Sequence, residues 1–180
     1  MKKIFLFILF IFHCFIIYAQ VTGDYQTAGN VSFSAATNWE TYNGSTWVSS
    51  GSVPSYTNGV ITINSSHIAS ITSDVTLDQV VVYGDLQVSG SPTTLTINDG
   101  TGTDLIIMNG ATLTVSVGAS GGWTFLASAN WQVLSGGTYV HNTARSVSTP
   151  LGSATLESGS TFIYRYGGSI SCSFANRTYS

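Results

Sequence analysis

Asn109-Gly110-Ala111-Thr112-Leu113, Ser135-Gly136-Gly137-Thr138-Tyr139 and Ser158-Gly159-Ser160-Thr161-Phe162 are three copies of one phrase, and a shortened copy, Tyr83-Gly84-Asp85-Leu86, precedes them. Their glycines at 84, 110, 136 and 159 step by 26, 26 and 23 residues. Three positions before each glycine stands an apolar residue: Val81, Ile107, Val133 and Leu156. A period of this length written in strand-formers marks a chain that stacks laps. At about 3.3 Å per residue, three short sides and their turns use up one repeat. Laps about 4.8 Å apart place equivalent residues above one another. Leu86, Leu113, Tyr139 and Phe162 are thus expected in one interior column, and Val81, Ile107, Val133 and Leu156 in another.

The flanking text agrees. From Gly59 onward Val60-Ile61-Thr62-Ile63, His67 to Ile71, Val75-Thr76-Leu77 and Gln79 to Val82 follow one another with short breaks. Alternation is mostly of period two, β-branched residues dominate, and Gly, Asn, Asp and Ser mark the turns. No window carries a helical period. The expected fold is all-β, a right-handed parallel β-helix (solenoid) over residues 59–180. The alternative is a β-sandwich of hairpins, which closely spaced strands also suit. The next turn glycine falls due past Ser180, so the laps are expected to continue beyond the fragment or to meet another copy end-on.

Residues 20–58 read differently. Trp39 and Trp47 flank Tyr42-Asn43-Gly44-Ser45, a hairpin with an Asn-Gly turn. This Trp-containing segment is expected to cap the open first lap. Residues 1–19 read as a signal peptide: Lys2 and Lys3, an apolar run from Ile4 to Tyr18, then Ala19-Gln20 at the cut. The expected localisation is secreted or at the outer cell surface.

Charge narrows the function. Charged residues make up 7% of the chain, against roughly 25% in ordinary soluble domains. After the signal peptide no lysine remains, and three arginines against eight acidic residues leave −5. Such an acidic, lysine-free chain has too few cations to neutralise a phosphate backbone, so nucleic acid is not an expected partner. The same deficit argues against lipid, and no bilayer insertion is expected after cleavage. Cys172 is the one cysteine left, so no internal disulfide forms.

Three sets of residues are candidates for chemistry. Asp99-Gly100-Thr101-Gly102-Thr103-Asp104-Leu105-Ile106 nearly matches a calcium-binding nonapeptide, with Asp99 and Asp104 as the ligands. Such sites are built between consecutive copies, and only one copy occurs, so a Gly-rich turn without a cofactor is the competing reading. Trp123, Trp131, Tyr164 and Tyr166 would stack on sugar rings if they face outward. His67 and His141 stand alone, without the neighbours a metal needs. Catalysis is not expected: Glu40 and Glu157 lie far apart for a glycosidase pair, and no lysine or arginine base lies between Lys3 and Arg145 for a lyase.

Gly23-Asp24-Tyr25, Asn38-Trp39-Glu40, Asn43-Gly44-Ser45-Thr46-Trp47-Val48, Pro54, Gly59 to Ile63 and His67 together resemble the N-terminal region of large secreted bacterial surface proteins exported by type IX secretion. Gly137-Thr138-Tyr139-Val140-His141-Asn142 and Ser158-Gly159-Ser160-Thr161 resemble a lap of the same proteins. The resemblance implies surface display and no catalytic residues in this region. The expected function is therefore a structural or adhesive module of an exported cell-surface protein, meeting an extracellular polymer or surface ligand. The alternative is a carbohydrate-binding β-helix accessory to a polysaccharide-degrading enzyme.

Overall fold

The computed structural model describes residues 19–118, 128–143 and 154–165, together with the backbone of 122–125 and 178–179. Strands β1 (Tyr25–Thr27) and β2 (Val31–Ser32) are followed by β3 (Trp39–Tyr42) and β4 (Trp47–Ser49). A repeating triplet then begins: β5 (Ile61–Ile63), β6 (Ile68–Ile71) and β7 (Val75–Leu77); β8 (Val80–Val82), β9 (Asp85–Gly90) and β10 (Thr94–Ile97); β11 (Leu105–Ile107), β12 (Thr112–Val117) and β13 (Gly122–Phe125). β14 (Trp131–Val133), β15 (Thr138–His141), β16 (Ala154–Leu156), β17 (Thr161–Tyr164) and β18 (Thr178–Tyr179) continue the order. No helix occurs among the described residues.

Each member of a triplet joins a different sheet. The first sheet runs β18-β16-β14-β11-β8-β5-β1-β3-β4, the second β17-β15-β12-β9-β6-β2, and the third β13-β10-β7. From lap to lap every one of these pairings is parallel. The antiparallel ones are β1–β3 and β3–β4, among the described strands. The chain is all-β with large parallel sheets, stacked as a β-solenoid stacks. A sandwich of hairpins pairs neighbours in sequence antiparallel, so this pairing sets that alternative aside.

Inward positions form the core. Leu86, Leu113, Tyr139 and Phe162 are register partners, as their spacing predicts, and the first three are fully buried. The second column needs a correction. Val82, not Val81, stands with Ile107, Val133 and Leu156, while Val81 pairs with Ile106 on the opposite face. The cause is the turn. From Val82 to Leu86 is four residues, whereas from Ile107 to Leu113 is six, so Gly84 matches Ala111 rather than Gly110. Gly110, Gly136 and Gly159 occupy the left-handed turn position, with φ of 77°, 79° and 86°, and lap two places Ser66 there at 66°. Gly84 is needed for a different reason: a Cβ would strike the backbone oxygens of His67 and Asn64 in the lap below.

Residues 25–32 already stack in parallel on the next lap, inside the 20–58 segment assigned to the cap. What lies outside the parallel stack is an excursion between β2 and β5. Its hairpin forms as expected, with Tyr42 opposite Trp47. It extends the first sheet beyond β1. Trp39 is buried, its ring 5.0 Å from Phe33 and 6.5 Å from Tyr25, edge-on to both. The edge of β7 is met by the same excursion, where Tyr56 N–H donates to the Thr76 carbonyl at 3.0 Å.

Candidate functional site

The acidic residues, first candidates for chemistry, mostly turn inward on the backbone. Val60 N–H donates to Asp24 Oδ1 at 2.9 Å, Thr94 N–H to Asp74 Oδ1 at 2.8 Å, and Asn130 N–H to Asp104 Oδ2 at 2.7 Å. Asn30 plays the same part with Ile68 N–H at 2.9 Å. In all four cases the acceptor stands just before a strand, and the donor is the residue at the same register position one lap on. A short polar side chain at a strand entry thus clamps the next lap. For the aspartates the bond is charge-assisted, a stronger class than the neutral bond to Asn30. Asp24 and Asp104 each use the second oxygen on the preceding loop, accepting from Val21 N–H at 2.7 Å and Gly100 N–H at 2.8 Å. Glu157 reaches the other way, accepting from Ser135 N–H at 3.1 Å.

This geometry bears directly on the calcium candidate. Asp104 is fully buried and both its oxygens are occupied by N–H donors, so it is a structural acceptor rather than a cation ligand. Asp99 is exposed. Among the described residues no group of three or more His, Cys, Asp or Glu side chains is arranged to hold a metal ion. Asp78 completes the local set. Its Oδ1 is buried without a hydrogen-bond partner. Burial, then the neighbouring Asp104 charge, raise its pKa above the usual carboxylate value, and Asp99 adds to the effect.

The aromatic candidates divide. Trp131 is fully buried beside Tyr139, ring centroids 5.3 Å apart and perpendicular. It fills the core and offers no outward face, so the sugar-stacking expectation fails there. The reason is register: Trp131 aligns with the inward Leu105 and Val80. Trp123 is the register partner of Leu95; its side chain, like all of Tyr166 and Cys172, lies outside the described residues. Tyr164 is half-buried and stacks on His141, centroids 5.7 Å apart at 11°. Both histidines bond to hydroxyls, His67 Nδ1 with Thr27 Oγ1 at 2.8 Å and His141 Nδ1 with the Tyr139 hydroxyl at 2.6 Å.

The aromatics that do reach the surface were not singled out by spacing. Tyr56 is 50% exposed, and Tyr83, on the shortened turn, 38%. Tyr42 and Trp47 are half-buried as a tilted pair 5.4 Å apart near the hairpin tip. All four sit on turns or in the excursion, where the lap period gives no guidance. The outer faces of the sheets carry Ser70, Gln87 and Thr114 in one register column, and Thr76 and Thr96 in another. A cleft of about 110 Å3 lies on the outer face of the first sheet, between Gln79, Val81 and Ile106 and the loop Thr101–Thr103. Gln79 Nε2 pins that loop through the Thr101 carbonyl at 2.8 Å, and Asn130 Nδ2 through that of Gly102 at 2.9 Å. Among the described residues no helix is long and apolar enough to cross a membrane. Comparison with protein-family models, with curated proteins and with solved structures gives no match to this chain.

Proposed function

We propose that this chain is a structural or adhesive module of an exported cell-surface protein, built as a right-handed parallel β-helix whose first lap is capped by the excursion through residues 33–58. Lap-to-lap parallel pairing, with an acceptor side chain at the entries of β1, β2, β7 and β11, carries this reading. It makes a stiff rod whose polar side chains maintain the stack, leaving hydroxyl- and amide-bearing faces for an extracellular polymer. Right-handedness rests on the general preference of parallel crossovers. The cap rests on the hairpin beyond β1 and on buried Trp39. Export, with type IX secretion as the route, rests on the N-terminal sequence and the resemblance it carries. Protease shaving of intact producing cells tests the placement. Peptides from residues 59–143 in the released fraction support it, and their confinement to the lysed-cell fraction contradicts it.

A second reading, carbohydrate binding, is favoured by the exposed Tyr56 and the Tyr42–Trp47 pair. Retention of the mature chain on a panel of soluble and insoluble glycans, lost in Trp47→Ala or Tyr56→Ala, supports it. Uniform absence of retention removes it.

A further inference from the structure

The sequence holds three Asn-Gly pairs, Asn43-Gly44, Asn58-Gly59 and Asn109-Gly110, and the fold treats them unequally. We propose that Asn43 is a spontaneous modification site, deamidating in the folded protein while Asn58 and Asn109 are held unreactive. In this reaction the backbone nitrogen of the glycine loses its proton to hydroxide and attacks the asparagine Cγ. The new N–Cγ bond closes a cyclic imide, and the Cγ–NH2 bond breaks to release ammonia. Water then opens the imide at either carbonyl, leaving aspartate or isoaspartate. One water is consumed and one ammonia released, with no oxidant, metal or partner required.

Reactivity therefore depends on a glycine N–H that is free to deprotonate and a Cγ it can reach. Gly59 N–H donates to the Gly23 carbonyl at 3.1 Å, and Gly110 N–H to the Gly136 carbonyl at 3.1 Å. Both are tied to a neighbouring lap or strand entry, so the nucleophile is withdrawn. Gly44 N–H has no such partner among the described residues, and residues 43–46 are all exposed. At Asn43 the side-chain oxygen accepts from Ser45 N–H and Thr46 N–H, each at 3.0 Å. Asn58 Oδ1 is held in the same way, by Ser55 N–H at 2.7 Å and the Ser55 hydroxyl at 3.3 Å, so the glycine N–H is what separates the two sites. Isoaspartate at this position adds a methylene to the main chain between Tyr42 and Trp47. The product is a charged mark on the most exposed part of the hairpin.

The test incubates the folded mature protein in mildly alkaline buffer, with a parallel sample in urea. The chain is cut at aromatic residues, since the mature sequence has no lysine, and isoaspartate is located by fragmentation of the peptides. Expected is conversion at Asn43 faster than at Asn58 or Asn109 by about tenfold, because freeing a held amide costs about one hydrogen bond. In urea the three converge. Comparable conversion at all three in the folded sample overturns the proposal, as does an intact Asn43 in the folded sample. Asn43→Gln, exposed and free to fold, should remove the acidic species that builds up on a charge-resolving gel. Its persistence also overturns the proposal.

Discussion

The laps built from β5 to β12 and those built from β14 to β17 share one backbone frame and fill it differently. The earlier laps are aliphatic inside, with Ile61, Ile63, Leu86, Val88, Leu113 and Val115 all fully buried. In the later laps the same columns hold Trp131, Tyr139 and His141. Room for Trp131 comes from its next-lap partner, which is Ala154. Two of the buried polar atoms that arrive with the aromatics, the Tyr139 hydroxyl and His141 Nδ1, pair with each other. The parallel pairing is what the laps share, and the filling is free to vary as long as volume and hydrogen bonding balance.

The strongest way to break the comparison is to empty the aromatic side of it. Trp131→Ala should cost about 3–5 kcal/mol, against roughly 2–5 kcal/mol for Leu113→Ala in the aliphatic part. Urea denaturation checks both. A single transition in each variant means that the two regions unfold together, and a biphasic curve for Trp131→Ala alone means that the aromatic laps unfold first. The junction is the next target. Asp104→Ala strips acceptors from Asn130 N–H and Gly100 N–H, and loss of bonds to a buried charge should lower stability by about 1.5–3 kcal/mol per clamp. Hydrogen exchange should report the loss at Asn130 before more distant amides. Tyr139→Phe is milder: it deletes the hydroxyl facing His141, at about 1 kcal/mol by thermal or urea melting.

The smallest effect is one of sign. Asp78 has a raised pKa in the folded chain, so the folded state holds its proton more tightly than the unfolded state does. Stability should rise as pH falls through the folded value toward the ordinary carboxylate value of 3.8, and be lower above it. Asp78→Asn should remove this dependence and stabilise the protein at neutral pH. Melting curves across mildly acid to neutral pH check the direction; a variant less stable than the parent at neutral pH would contradict it.

Much of the frame was legible in the sequence, because a recurring turn and alternating strands impose lap length directly. The column through Leu113 follows from that alone. The slip at Val81 shows the limit: glycine was read as one kind of turn residue, while Gly84 serves close approach in a turn two residues shorter. Inward and outward faces exchange with a single-residue shift, which is why the sequence left open whether Trp131 faces outward. The Asp clamps were hidden for another reason. Asp24, Asp74 and Asp104 share no sequence spacing, only a place before a strand, and that place is visible once the pairing is known.

The account stands on parallel stacking in the stated register, and cysteine pairing measures it most directly. Gln87 and Thr114 are register partners on adjacent strands, about 4.8 Å apart, within disulfide reach. Thr112 is displaced from Gln87 by two residues along the strand and lies beyond roughly 7 Å, where a bridge does not form. In a Cys172→Ser background, Gln87→Cys with Thr114→Cys should oxidise to an intramolecular disulfide, while Gln87→Cys with Thr112→Cys should stay reduced. Bridging of the Thr112 pair and not of the Thr114 pair would contradict the register, and failure of both in folded protein would contradict the stacking itself.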